Sequence, residues 1–354
     1  MNKRIIFVLD SIDNSGIFNA VIALISELLK LDKYEITIIC HSVKNDTFKD
    51  ERLKIINFDL NKYGKIKYLF LMHKIKEILN ISDYDSIIVS GMQFVPFYYY
   101  ALKNINIKKI AWEHRNFFAG PLFRLEWFGK RIACKYFDKV VVLTKKDEEY
   151  YKEYCRETNK IINIYNIVSN NNSLRKYNTE SRKIMSVGYL DINIKGYDLL
   201  IKVAKKVLTN NPGWEWDIYG EGLDKNKLCE LIKINNLDNK VNLLGYCEDV
   251  KSKYNDYGIF VFTSRSEGMG MVLVEALFNK LPIISFDIDC GPSDIIASDI
   301  GYLIRKYDVD EMADKIETLI NNAKKRINMS NNTVKYFDKF NKNYSIEKWV
   351  NILG

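Results

Sequence analysis

No apolar run among the 354 residues approaches the eighteen or so needed to cross a bilayer as a helix, which excludes a helical membrane span. The start, Met1-Asn2-Lys3-Arg4, has the charge of a secretory leader. Its apolar run, Ile5 to Leu9, is ended by Asp10 and is too short to act as one, so a cytoplasmic location is expected. The six cysteines (Cys40, Cys134, Cys155, Cys229, Cys247, Cys290) include no C-x-x-C pair and no nearby His to complete a metal set, and they read as reduced, mostly core, thiols. Histidine is scarce, with three residues in all. His41 ends a strand and His73 falls inside a helical stretch, where a packed or solvated ring is the usual account.

What is present points to a large soluble protein. A 47% hydrophobic and 28% charged composition is that of a globular chain, and its length exceeds what one core serves, so two domains are expected. The formal charge of +8 is uneven: residues 1–176 carry 29 Lys and Arg against 20 Asp and Glu, and residues 177–354 carry 24 against 25. The basic half is the N-terminal one, which suggests that it faces an anionic surface or substrate. No nucleic-acid partner is expected.

Apolar runs and amphipathic stretches alternate along the chain. In the first half, strands are predicted at 4–9, 35–40, 53–58, 86–89, 109–112, 139–143 and 160–164, with helices at 17–31, 68–79, 94–102, 122–137 and 146–155. A polar stretch without periodicity, residues 169–181, reads as a linker. The second half repeats the alternation, with strands at 184–187, 215–219, 241–244, 259–263 and 282–286 and helices at 197–208, 225–234, 271–279 and 309–323. A last helix at 345–353 carries Ile346, Trp349, Val350 and Leu353 on one stripe. The expected fold class is α/β, two doubly wound, Rossmann-like domains at 1–168 and 182–340 with a closing segment at 341–354.

The chemistry concentrates in Thr263-Ser264-Arg265-Ser266-Glu267-Gly268-Met269-Gly270-Met271, followed by a helix containing Glu275. A buried strand, a tight turn and a helix start present backbone N–H groups and the positive end of a helix dipole to an electron-rich ligand. Glu275 lies about 6 Å of helical rise beyond Met271, so two carboxylates can hold two ends of one elongated, hydroxylated ligand. The plainer account makes Glu267 a capping acid and Glu275 a solvated helix residue.

This stretch resembles the Glu-x7-Glu motif of glycosyltransferase family 4, the group 1 glycosyltransferases of GT-B fold. The resemblance implies two Rossmann-like domains facing across a cleft and a last helix that returns to the N-terminal domain. It implies that Glu267 contacts the donor sugar together with Gly268, Met269, Gly270 and Met271, and that Glu275 holds the nucleotide ribose. Ser186-Val187-Gly188-Tyr189-Leu190, then Lys195-Gly196, resembles the segment whose Arg and Lys pair with the donor diphosphate. Lys195 matches, whereas Tyr189 stands where the family has Arg, and a phenol is neutral near pH 7. Arg265 is the local substitute, or else a solvated surface residue.

Other segments extend the resemblance. Gly16, after Asp10-Ser11-Ile12-Asp13-Asn14-Ser15, opens a helix where the family usually has two glycines, and the resemblance places the diphosphate against its amides. Gly220 and Gly222 match a Gly-x-Gly loop, Leu244-Gly245-Tyr246 the nucleobase region, and Cys290 to Ile296 a Gly-Pro-containing block. His114 follows the strand at 109–112, where the family directs a His at the donor sugar and acceptor; Glu113 and Arg115 are further acceptor candidates. Asp287 and Asp289 invite a metal reading, yet no His or third acid joins them and Lys195 with helix N-termini can neutralise phosphate, so no metal or other cofactor is expected. Phe117 to Phe137 sets Phe118, Phe123, Trp127 and Phe128 beside Arg124, Lys130, Arg131 and Lys135, a mixture suited to an anionic membrane or a polyprenyl-phosphate acceptor.

The expectation is a retaining, metal-independent transferase moving a hexose from a nucleotide sugar, UDP-linked, to a lipid-linked or growing glycan in surface polysaccharide biosynthesis, peripheral on the inner face of the cell membrane. The rivals are a sugar-nucleotide epimerase or hydrolase of the same fold, and a non-catalytic sugar-nucleotide-binding partner.

Overall fold

The computed structural model of the chain describes residues 2–13, 15–43, 50–59, 71–77, 84–120, 124–169 and 176–354. The chain divides into two compact units, one of residues 1–167 with 342–354 and the other of residues 168–341.

The first unit is built on seven parallel strands: β1 (Lys3–Ile12), β2 (Tyr34–Val43), β3 (Leu53–Asn57), β4 (Ser86–Ser90), β5 (Lys108–Trp112), β6 (Lys139–Val142) and β7 (Ile161–Asn163), in the order β3-β2-β1-β4-β5-β6-β7. Strands covered on both faces must be apolar throughout rather than alternating, and Ile5 to Leu9 and Ile87 to Val89 are accordingly all buried. The helix Gly16–Leu29 starts at Ser15, whose Oγ accepts from the Phe18 N–H at 3.2 Å, and buries Phe18, Val21, Leu24, Ile25 and Leu28 along one stripe. The helix Lys342–Leu353 belongs to this unit: Ser345 Oγ donates to the Tyr165 carbonyl at 2.9 Å, and Lys348 Nζ to the Asn163 carbonyl at 2.9 Å. Trp349 is its buried anchor, packed edge-on against Trp112 at 4.8 Å.

The second unit has six parallel strands: β8 (Lys183–Val187), β9 (Glu215–Tyr219), β10 (Val241–Gly245), β11 (Ile259–Phe262), β12 (Ile283–Phe286) and β13 (Gly301–Ile304), in the order β10-β9-β8-β11-β12-β13. Both sheets reverse direction of strand order beside their first strand, at β1/β4 and at β8/β11. In doubly wound sheets ligands bind beyond the carboxyl ends of the strands at that point.

Several details differ from the sequence expectation. Strand β13 has no predicted counterpart. The predicted helix 309–323 ends at Ile320, and a further helix with no predicted counterpart, Ala323–Asn332, follows, started by the Asn322 side chain, which accepts from the Lys325 N–H at 2.9 Å. Of the predicted helix 68–79, residues 71–77 are helical and the rest lie outside the described residues, as do Asn14, Leu122, Phe123 and 170–175 of the expected linker. The linker's end packs on the second unit, with Tyr177 Oη donating to the Gly258 carbonyl at 2.6 Å. The reading of six reduced thiols is also corrected. Cys134 and Cys155 form a disulfide, Cα atoms 5.4 Å apart, which ties the helix Leu125–Tyr136 to the C-cap of the helix Lys145–Tyr154; the Trp127 and Tyr154 rings of the same helices are 6.1 Å apart. Cys40 and Cys290 are buried and not disulfide-bonded, whereas Cys229 is exposed and Cys247 half-buried.

Candidate active site

In the second unit the loops after β8 and β11 flank the switch point and are stitched together by main-chain and side-chain bonds. The Arg265 N–H donates to the Ile194 carbonyl at 2.7 Å and Thr263 Oγ1 to the Lys195 carbonyl at 3.0 Å. Gly196 sits at φ +66°, and a Cβ there would stand 2.2 Å from the Thr263 carbonyl oxygen, so only glycine permits this approach. The result is that Lys195 and Glu267, separated by 72 residues, meet: Nζ lies 2.5 Å from Oε1, with side chains 22% and 12% exposed.

Beyond Glu267 the chain turns into the helix Met271–Phe278, with Gly270 at φ +79° as its N-cap and no capping side chain. Gly268 is half-buried and Met269 fully buried, so Met269 can serve a ligand through its backbone, not its thioether. Glu275 is not the solvated residue of the plainer account. Its side chain is 12% exposed, burial pushes its carboxyl above the usual range, and Tyr254 Oη donates to Oε2 at 2.9 Å while Lys251 Nζ stands 3.9 Å from Oε1. Sequence reasoning passed over both partners; the 3₁₀ turn Tyr254–Asp256 that presents Tyr254 carries no motif.

The neighbouring loops follow the same edge. The Gly188 N–H donates to the Tyr219 carbonyl at 3.0 Å and the Gly220 N–H to the Gly245 carbonyl at 2.8 Å, and a Cβ on Gly220 would meet the Gly188 carbonyl at 1.9 Å. Tyr189 is 53% exposed at this edge and Tyr246 65%. Arg265 is neither a free substitute for the family Arg nor a solvated residue: it grips Asp198 with both terminal nitrogens at 2.7 and 2.8 Å and donates to the Ile192 carbonyl at 2.7 Å. Asp289 faces Lys306 at 3.4 Å, and among the described residues no group of three potential metal ligands occurs.

In the first unit His114 follows β5 and is buried. Its ring tilts against Trp112 at 4.5 Å, neither ring nitrogen has a hydrogen-bond partner among the described residues, and desolvation pulls its pKa down to about 3. It is therefore neutral near pH 7, with one nitrogen to donate and one to accept. Glu113 is no acceptor contact. It is buried, receives the N–H groups of His114 and Arg115 at 3.1 and 3.2 Å and Tyr151 Oη at 2.9 Å, and so fixes the backbone that carries His114. Arg115 is exposed, 3.6 Å from Glu126.

Lys130 corrects the membrane-facing reading of the Phe117 to Phe137 stretch at one position. It is 1% exposed, donates to the Phe117 carbonyl at 2.5 Å and lies 3.9 Å from Glu113, and burial lowers its pKa. Arg124, Phe128, Arg131 and Lys135 are exposed, and at 100° per residue they fall on one side of the helix Leu125–Tyr136. At Gly16 the helix start shares its loop with Asp13, whose carboxylate takes Ser11 Oγ at 2.5 Å and the Ser15 N–H at 2.9 Å. His41 pairs with Tyr98 Oη at 3.2 Å and His73 is solvated beside Glu77 at 3.2 Å.

Comparison with known proteins gives this geometry its class. The fold matches S. aureus TarM, solved as a point mutant with Fondaparinux, alpha-GlcNAc-glycerol and UDP, at a TM-score of 0.84 and 19% identity over 99% of this chain and 100% of that one. The fold is thus GT-B. A Haemophilus influenzae protein described as an uncharacterised glycosyltransferase is 29% identical over 99% of this chain and all of its own length. The amylovoran biosynthesis glycosyltransferase AmsD of Erwinia amylovora is 25% identical over 99% of both chains. Residues 170–336 match the family described as glycosyl transferases group 1. The second unit thus carries the group 1 glycosyltransferase match, and the chain over its whole length is similar to glycosyltransferases.

Proposed function

We propose that this glycosyltransferase takes a hexose from a UDP-linked donor, with retention and without a metal ion, and passes it to a lipid-linked or growing glycan of a surface polysaccharide. The observation that carries the reading is the meeting of Lys195 and Glu267 at the β8/β11 switch point, beside the N-terminus of the helix that holds Glu275. An ammonium and helix-end amides suit a diphosphate, a half-buried carboxylate suits sugar hydroxyls, and a buried carboxylate suits a ribose diol. UDP as the nucleotide is supported by the TarM complex, and a polysaccharide product by the AmsD relative.

In the proposed reaction the bond from the anomeric carbon to the phosphate oxygen breaks and a bond to the acceptor oxygen forms on the same face. The acceptor's proton passes to the departing phosphate, and the nucleoside diphosphate leaves. Lys195 and the N–H groups from Gly268 to Met271 offset the charge that grows on the leaving group, which is the part of such a step that oriented donors assist most. The metal-free reading rests on this cationic and dipolar set and on Asp289 being engaged by Lys306. The first unit's candidates are His114 for the sugar and acceptor and the amides at Gly16 for phosphate.

An anionic membrane surface is proposed as the place of action, through Arg124, Phe128, Arg131 and Lys135, with Phe128 47% exposed between the cations. Among the described residues no helix is long and apolar enough to cross a membrane, so docking would be peripheral. Acceptor-dependent release of UDP from a panel of UDP-sugars, in EDTA, tests the donor and metal assignments together.

A further inference from the structure

The pairing of Lys195 with Glu267 raises a difficulty for any diphosphate ligand. The loops after β8 and β11 bring two basic side chains to the switch point, and Arg265 is already held by Asp198 on both terminal nitrogens. Lys195 is the remaining cation of these loops, and its ammonium is 2.5 Å from a carboxylate. Tyr189, which could have added a charge had it been Arg, adds none. A phosphate that approaches Lys195 therefore meets Glu267 at close range, in a site where both side chains are largely shielded from water and screening is weak.

We propose that this ion pair discriminates between the sugar-bearing donor and the sugar-free product. The inference rests on the donor reading above. With a sugar present, its hydroxyls donate to Glu267 and Lys195 is released to the diphosphate. After transfer those hydroxyls have gone with the sugar, Glu267 returns to Lys195, and the carboxylate competes with the phosphate for the ammonium. Glu267 thus has two tasks, holding the sugar before transfer and loosening the nucleoside diphosphate after it. Its removal should tighten product binding, the reverse of what loss of an ordinary ligand contact does.

The test is calorimetric titration of the full chain with UDP and with uridine, for the parent, Glu267→Gln, Lys195→Met and the double variant, with Glu267→Ala as a second way of removing the charge. Thermal melting checks that each is folded. Glu267→Gln and Glu267→Ala are expected to bind UDP on the order of tenfold more tightly than the parent and uridine no differently. The gain should vanish in the Lys195→Met background. In steady state, inhibition by UDP should strengthen by the same factor in Glu267→Gln. If UDP affinity is unchanged or lower in both Glu267 variants, if uridine gains equally, or if the gain persists without Lys195, the inference is overturned while the donor reading stands. If the parent does not bind UDP, the donor reading fails and takes this inference with it.

Discussion

Tyr254 Oη donates to Glu275 Oε2 at 2.9 Å, and Tyr254 is itself wholly buried. A carboxylate held in this way has one oxygen committed to the protein and one left toward Lys251 and the ligand. Tyr254→Phe should weaken UDP binding by about 1 kcal/mol, the net worth of one such hydrogen bond, and Glu275→Ala by about 1–3 kcal/mol, the cost of leaving ribose hydroxyls unpaired. Calorimetric titration measures both. Equal affinity in all three proteins would remove Glu275 from the donor site.

The pH dependence of stability should carry the signature of His114. Its pKa is about 3 in the folded chain, through desolvation, against about 6.5 when unfolded. Between these values the unfolded chain binds a proton that the folded one does not, so His114 makes stability fall as pH drops below about 6.5, by about 1.4 kcal/mol per pH unit. Urea unfolding at pH 7, 6 and 5 should show a shallower loss in His114→Gln than in the parent. Parallel curves would mean that the ring titrates normally.

Charge at the switch point should be legible in ligand preference. Lys195→Ala is expected to lower affinity for UDP much more than for uridine, since the lost interaction is with phosphate. Tyr189 is 53% exposed, so Tyr189→Arg should fold and bind UDP as tightly or more so. A Tyr189→Arg protein that no longer folds would assign the ring a packing role.

The exposed and the buried basic positions between Arg124 and Lys135 should behave in opposite ways. Changing the exposed Arg124, Arg131 and Lys135 to Glu should leave the melting temperature near that of the parent and reduce co-sedimentation with anionic vesicles, each cation contributing about 1 kcal/mol near such a surface. Lys130→Glu would bury a second acid 3.9 Å or so from Glu113 and should destabilise the fold by about 3–5 kcal/mol. Binding should weaken as salt rises. Vesicle binding that is absent at low salt, or kept in the triple variant, would contradict membrane docking by this face.

Most of the fold could be read from periodicity, because parallel strands covered on both faces leave continuous apolar runs such as Ile5–Leu9 and Ile259–Phe262. Strand β13 stands at the sheet edge with Tyr302 and Leu303 only half-buried and so lacks the continuous apolar run of its neighbours, and the start of the helix Ala323–Asn332 depends on the Asn322 cap rather than on an apolar pattern. At the site, Glu267, Glu275 and Lys195 could be found from local motifs. Their partners could not: Asp198 beside Arg265 and Tyr254 beside Glu275 are set by packing between segments 67 and 21 residues apart. Lys130 shows the same limit in reverse. A basic residue in an aromatic helix looks like a surface cation until the register shows it turned inward to Glu113 and the Phe117 carbonyl.

The central claim is that Glu267 and Glu275 belong to a donor site that transfers a hexose without metal. The most direct measurement is UDP release from a panel of UDP-sugars, in EDTA, with and without a glycan acceptor, by the parent, Glu267→Ala and Glu275→Ala. The account predicts that one UDP-hexose is consumed in an acceptor-dependent, EDTA-resistant way and that both variants lose most of that turnover. Undiminished turnover in both variants, or turnover abolished by EDTA and restored by a divalent cation, would contradict it.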